Sequence, residues 1–405
     1  MSEPARPPAR LSARPPERRA AIIVLDGLGI GPTPDQAAYG DEGSDSLGNA
    51  LQLGAGLMLP NLERLGLGRC RPLPGVAAVE RPGAAFGIAH PRSAGKDSTT
   101  GHWELCGLVL EQPFPTYPLG FPPELIAEFS RRTGRGALCN LPASGTAVLD
   151  QFGQEHLQSG RWIVYTSADS VFQVAAHEAV VPLDELYAAC ATAREILQGE
   201  QGVSRVIARP FRGEPGKWER VGMHRKDFSL PPPADTLLDR CEAAKLPRMG
   251  VGKVDDLFAR RGISSLHTAT NAEAYHLIET ALGAMRRGLL LANVIEFDQT
   301  WGHRNDVPGY LKGLTELDEA IPRLLANVQP DDLIIFTADH GNDPTTPSTD
   351  HSREAVPVLV YGPGITPAPL GERATFADIG QTVAEFLRLE PLAAGTSFLG
   401  EVWRG

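Results

Sequence analysis

The chain has 405 residues, 42% hydrophobic and 21% charged, with 38 Lys and Arg against 49 Asp and Glu and a net charge of −11. That length allows two domains, or one domain carrying a large insertion, with a sizeable core. The acidic balance argues against nucleic acid as the main partner, no apolar run reaches the ~18–20 residues of a membrane span, and the cysteines (Cys70, Cys106, Cys139, Cys190, Cys241) form no Cys-x-x-Cys pair and read as buried thiols of a reducing, cytoplasmic compartment.

Residues 1–19 are rich in Arg, Pro and Ala, with Pro7-Pro8 and Pro15-Pro16. They read as a disordered extension, and without an apolar h-region they do not make a secretory signal. Ala20 to Leu25 is apolar throughout and is stopped by Asp26-Gly27. That pattern predicts a parallel strand buried on both faces, with Asp26 at the carboxyl end, where open α/β sheets hold their ligands. The pattern recurs at Leu289 to Phe297 before Asp298, at Leu333 to Ala338 before Asp339, and at Val356 to Tyr361 before Gly362. Helical spacing runs through Asn271 to Arg287, Gly309 to Val328 and Phe376 to Leu389, with Pro322 marking a kink or boundary. The expected fold is α/β, a core sheet with helices on both faces built from residues 20–112 and 234–405. Residues 113–233, bordered by Pro113 and Pro115 and by Pro231-Pro232-Pro233, carry strand patterns at Trp162 to Tyr165, Val171 to Val174 and Val203 to Ala208, and a helical one at Leu183 to Leu197. They read as a smaller inserted α+β domain capping the site.

Asp298 and His303, then Asp339 and His340, then His351 crowd into one stretch, most of them at predicted strand ends. Asp and His together suit divalent ions such as manganese or zinc, and the absence of Cys from the group argues against a structural thiolate site. A second group is Gly95-Lys96-Asp97-Ser98-Thr99-Thr100-Gly101-His102-Trp103-Glu104. A hydroxyl at the start of a helix beside a metal becomes a nucleophile in a favourable field. The competing explanation is an ordinary N-cap on Ser98 or Thr99. With Asp26 added, the set supplies a dinuclear site of the kind that clamps the two oxygens of a phosphoryl transfer.

These segments, with Tyr165 to Gln173 and Gly250 to Val254, resemble the phosphopentomutases of the alkaline phosphatase superfamily, in that family's order from about Ala20 onward. The resemblance implies an alkaline-phosphatase-like core and two manganese ions. It makes Asp298, His303 and His351 ligands of one ion, and Asp26, Asp339 and His340 ligands of the other. The phosphorylated nucleophile aligns with Ser98, which also meets the second ion. The family pattern has Thr there; Ser keeps the hydroxyl, and Thr99 is the other candidate. In the cap, Ser167, Asp169 and Val171 would line the ribose, while Arg209, Lys253 and Arg225 would meet phosphate. The implied reaction interconverts ribose 1-phosphate and ribose 5-phosphate, primed by glucose 1,6-bisphosphate or ribose 1,5-bisphosphate. A monomer with no nucleic-acid or membrane partner is expected. The rivals are a phosphoglycerate mutase of the same superfamily, a plain metal-dependent phosphatase, and a silent sugar-phosphate-binding protein.

Overall fold

The computed structural model describes residues 17–167 and 169–404. The reading of 1–16 as a disordered extension lies outside these residues. The strands in chain order are β1 Arg19–Leu25, β2 Ala85–Ala89, β3 Ala137–Pro142, β4 Trp162–Thr166, β5 Val171–His177, β6 Arg205–Glu214 and β7 Lys217–Arg220. They continue with β8 Lys226–Ser229, β9 Arg248–Val251, β10 Ser265–Leu266, β11 Gly288–Val294, β12 Asp332–Thr337, β13 Val356–Tyr361 and β14 Pro369–Arg373.

Among the described residues, eight strands form the core sheet in the order β10-β9-β11-β1-β12-β13-β2-β14. Every residue of β1, β11 and β12 is buried, as expected of strands covered on both faces. The helices Asn271–Ala284 and Val307–Ala326 pack together in one group. Ser98–Leu105, Leu237–Ala243 and Ala377–Phe386 form another. The α/β class matches the expectation from the sequence.

One strand departs from the expected pattern. β13 runs antiparallel to both β12 and β2, so its Gly362 end lies at the far edge of the sheet. Its beginning, preceded by His351 to Ala355, is what reaches the edge where β1, β11 and β12 end. A fully apolar strand signals burial on both faces but carries no direction, which is why the sequence pattern could not distinguish it.

The proposed boundary after residue 19 is also corrected. Arg19 opens β1 and is 1% exposed, paired with Asp332 at the start of β12. Its Nε donates to Asp332 Oδ1 over 3.1 Å, and its Nη atoms donate to the carbonyls of Met285 and Asn327 at 2.6 and 2.9 Å. Nor does Pro322 break its helix, which continues from Val307 to Ala326. Proline at this position deprives the Asp318 carbonyl of its helical donor, and Asn61 Nδ2 supplies a replacement at 3.0 Å.

The second sheet has the order β3-β4-β5-β6-β7, with β8 also paired to β6, and falls between Ala137 and Ser229. It has its own apolar clusters. Phe129, Trp162, Phe172 and Cys190 belong to one, and Ile163, Tyr165 and Phe211 to the other. β6 extends beyond the predicted strand, so Arg209 sits in its middle and not at its end. β7 and β8 escaped sequence detection because β7 (Lys217–Arg220) is polar and mostly exposed and both strands span only four residues.

Replacing Arg19 by Ala leaves Asp332 charged and buried without its partner. The expected cost is about 3–5 kcal/mol, read as a lowered urea midpoint with an unchanged m-value.

Candidate active site

The site lies at one edge of the core sheet. β1 ends at Leu25 and delivers Asp26; β9 ends at Val251 and delivers Lys253; β12 ends at Thr337 and delivers Asp339 and His340. β11 ends at Val294, short of the predicted Phe297, and Asp298 sits in a π-helical turn, Phe297–Trp301. Such turns are uncommon and often occur at functional sites. His351 arrives from the segment leading into the reversed β13.

Ligand atoms of Asp298, His303 and His351 lie within 4.8 Å of one another, and so do those of Asp26, Asp298 and His340. Asp298 therefore borders both groups. Its Oδ1 is 3.4 Å from His303 Nε2 and 3.3 Å from His351 Nε2. His340 Nε2 is 3.2 Å from Asp26 Oδ1 and 3.5 Å from Asp339 Oδ2. Asp339 Oδ2 is buried and has no hydrogen-bond partner among the described residues. His102 Nδ1 is only 3.0 Å away but is engaged with the Ser98 carbonyl at 2.9 Å. A buried carboxylate oxygen without a donor is costly, and a cation shared with Asp26 and His340 would satisfy it. The donor set of carboxylate and imidazole thus fits divalent cation binding.

Ser98 is the first residue of the helix Ser98–Leu105. The N-cap is Asp97, whose carboxylate accepts from the Thr100 N–H at 3.1 Å. This corrects the capping role considered for Ser98 or Thr99 and leaves the Ser98 hydroxyl free to face the site. Ser98 Oγ lies 3.1 Å from His340 Nε2, 3.3 Å from Asp26 Oδ1 and 3.3 Å from Lys253 Nζ. Glycine is required at 101, because a Cβ there would lie 2.1 Å from the Asp339 carbonyl oxygen.

Burial opposes charge on Asp26, but Lys253, aided by His340, outweighs it and holds the carboxyl well below the usual carboxylate range. Burial likewise opposes charge on Asp298, and His351 and His303 overcome it. The imidazoles respond in the opposite sense. Burial would lower His340, yet Asp339, Asp26 and Asp298 push it up to about 10. Burial would lower His303, yet Asp298 pushes it up to about 9.

Above this edge is a cleft of about 1120 Å³ between the two sheets, lined by Ser98, Lys253, Asp298, His303 and His351 on one side. Ser167, Asp169, Val171, Arg209 and Arg225 line it from the cap. Ser167 and Asp169 lie in the β4–β5 turn, and Val171 opens β5. Asp169 approaches Asp350 and His351 to within 4.8 Å. Lys253 is drawn to the carboxylate cluster, with Nζ 2.8 Å from Asp26 Oδ2, and is not grouped with Arg209 and Arg225. Arg209 gives one N–H to Gln173 at 3.0 Å; burial, then the nearby Arg225, lowers it to about 10. Arg225 is paired with Asp227 at 2.8 Å.

Several residues of the site escaped sequence reasoning. Arg205 and Ile207 share the cleft-facing side of β6 with Arg209, a period-two signal that was available. Asn293 Nδ2 donates to Asp26 Oδ2 at 3.0 Å, and Asn342 Nδ2 to Asp298 Oδ1 at 2.8 Å. A single Asn within the apolar run of β11 was the available hint. Burial raises Cys70 and Cys241 to about 12, and all five cysteines are free, with Cys70 and Cys139 only partly buried.

Residues 251–391 match the Metalloenzyme superfamily. The phosphopentomutase of Anaeromyxobacter sp. (strain K) is 54% identical over 389 residues, covering 96% of this chain and 100% of that protein. That of Dictyoglomus turgidum is 50% identical over 390 residues, covering 96% and 99%. The chain belongs to the phosphopentomutase family. Among the described residues no helix is long and apolar enough to cross a membrane.

At pH 7 the raised His303 and His340 hold protons in the metal-free protein, so a divalent ion must displace them. Affinity for Mn2+ is therefore expected to rise with pH from 6 towards 9. Calorimetry in two buffers of different ionisation enthalpy should register proton release on binding.

Proposed function

We propose that this chain interconverts α-D-ribose 1-phosphate and D-ribose 5-phosphate, and the 2-deoxyribose analogues, through a phosphorylated Ser98 and a sugar 1,5-bisphosphate, with two manganese ions bound. The observation that carries this reading is the Ser98 hydroxyl, 3.1 Å from His340 Nε2 and 3.3 Å from Asp26 Oδ1, on the wall of a cleft whose opposite wall bears arginines. Family membership over nearly the whole chain agrees with it.

In this mechanism Asp298, His303 and His351 would hold one ion, and Asp26, Asp339 and His340 the other, with Ser98 meeting the second. The ions would supply positive charge to offset that of the transferring phosphoryl group. The chain's own residues do the remainder. Phosphorylated Ser98 loses its phosphoryl group to a hydroxyl of the sugar monophosphate. The Ser98 Oγ–phosphorus bond breaks, a sugar oxygen–phosphorus bond forms, and the hydroxyl proton ends on Ser98 Oγ. The bisphosphate turns within the cleft, and the other phosphoryl group returns to Ser98 by the reverse exchange. No water is consumed. Lys253 holds positive charge beside the transferring group, where Asp26 and Asp298 outweigh burial and keep it protonated. Arg209 and Arg225 receive the phosphate remote from Ser98, the guanidinium fork matching its oxygens. Ser167, Asp169 and Val171 hold the ribose. The cap excludes water that would hydrolyse the phosphoserine. Glucose 1,6-bisphosphate or ribose 1,5-bisphosphate rephosphorylates enzyme that has lost its phosphate.

A coupled assay for ribose 5-phosphate formed from ribose 1-phosphate, with Mn2+ and a trace of glucose 1,6-bisphosphate, tests the reading. Wild type should turn over, and Ser98→Ala should lose essentially all activity while Thr99→Ala retains most of it. Release of free phosphate in place of ribose 5-phosphate would mean a phosphatase, and full activity of Ser98→Ala would move the nucleophile. Arg209→Gln should raise KM about 10–100-fold with a smaller effect on kcat, the size of a lost charge-assisted contact.

A further inference from the structure

The reactive geometry of Ser98 depends on the backbone that leads into its helix, residues 91–97. That segment runs between two buried charges of opposite sign. On one side Glu104, 0% exposed, accepts the N–H groups of Arg92 and Ser93 at 2.8 and 2.7 Å. On the other side the Arg353 guanidinium, 3% exposed, donates to the carbonyls of Pro91, Ser93 and Gly95 at 2.8, 2.6 and 2.7 Å. Three carbonyls at alternate positions thus meet one planar fork. The remaining donors of Arg353 go to Asp35, with Nη2 at 2.8 Å from Oδ2, and the guanidinium lies 4.5 Å above the ring of Tyr39.

The rest of the network ties the same loop to the metal end. The Arg353 N–H donates to Asp41 Oδ2 at 2.8 Å, and the other oxygen of Asp41 accepts from Lys96 Nζ at 2.7 Å, inside the loop. Arg353 follows His351 by two residues, so one short segment carries a metal-ligand candidate and the clamp on the nucleophile's loop. Arg353 is not among the residues lining the substrate cleft. Its guanidinium acts on the loop directly, through three hydrogen bonds to loop carbonyls.

We propose that Arg353 is a positioning residue for phosphoryl transfer. By holding Pro91, Ser93 and Gly95 on one guanidinium, it sets where Ser98 Oγ stands relative to Asp26 and His340. A misplacement of about 1 Å in a reacting group costs on the order of 100-fold in rate without weakening substrate binding. Lysine cannot substitute, because an ammonium is a point charge that cannot reach three carbonyls and a carboxylate in one plane.

The proposal rests on the phosphoryl-transfer reading of Ser98, and the test separates the two. In the full-length, Mn2+-loaded protein, Ser98 phosphorylation by glucose 1,6-bisphosphate is followed in single-turnover mixing by intact mass. In parallel, kcat and KM for ribose 1-phosphate are measured. Arg353→Lys is expected to slow single-turnover phosphorylation and kcat together, by on the order of 100-fold, with KM within about threefold of wild type and Mn2+ content unchanged. Asp35→Asn, which loosens the guanidinium from a partly exposed partner, should show the same signature at smaller amplitude, and it decides the matter if Arg353→Lys does not fold. An unchanged phosphorylation rate in a folded, metal-loaded variant overturns the proposal, as does a rise in KM with kcat preserved. If the wild type is phosphorylated on Ser98 but does not interconvert pentose phosphates, the proposed function fails and the Arg353 test still stands. No phosphorylation of Ser98 in the wild type sinks both.

Discussion

Three buried carboxylates, Asp26, Asp298 and Asp339, meet at one edge of the core sheet, and the geometry of the site follows from how their charge is balanced. Side by side in a dry environment they would repel one another strongly. His303, His340 and Lys253 surround them, and the electrostatics are mutual: the carboxyls of Asp26 and Asp298 are held charged, and the imidazoles of His303 and His340 are pushed upward. Asn293 and Asn342 satisfy further oxygens with neutral donors. Even so, no donor among the described residues meets Asp339 Oδ2. A set of ligands that remains unsatisfied after its protein partners are counted is suited to a cation.

Such convergence requires strands that end together. Parallel strands bring their carboxyl ends to one edge, and β1, β11 and β12 do so with their Asp residues just beyond the sheet. The reversed β13 adds something a uniformly parallel sheet would lack. Its beginning lies at the same edge, so the chain approaching it can contribute His351, Arg353 and Glu354 in sequence. Glu354 accepts from both the hydroxyl and the N–H of Ser46, at 2.7 and 2.9 Å, and is pushed up to about 7 by burial. The segment that follows His351 is therefore anchored by Arg353 and Glu354.

The second sheet contributes a different kind of chemistry. It has its own apolar cores and faces the carboxylate-bearing edge with a strand bearing Arg205, Ile207 and Arg209 at alternate positions, and with the turn that carries Ser167 and Asp169. Arginines on the wall formed by the second sheet and the Ser98 hydroxyl beside the carboxylate cluster give the cleft two chemically distinct walls. Under the proposed function, a ligand with phosphate at both ends suits that division, since either end would be presented to Ser98 while the other meets guanidinium.

By itself the sequence determined the α/β core, the buried strands ending near Asp26, Asp298 and Asp339, and the hydroxyl loop at Ser98. These are local features: apolar runs, Gly stops and residue types within a few positions of one another. Burial and strand ends can be read at that range. Direction and pairing were decided by tertiary structure. The reversal of β13, the continuity of the Pro322 helix and the entry of Arg19 into β1 all depend on partners elsewhere in the fold, whereas the capping of the helix by Asp97 is a contact with Thr100 three residues on. Asn61 is 257 residues from Asp318 along the chain, and Asp332 is 313 from Arg19. No short-range pattern encodes such contacts, because each is set by which surfaces the packed sheet brings together.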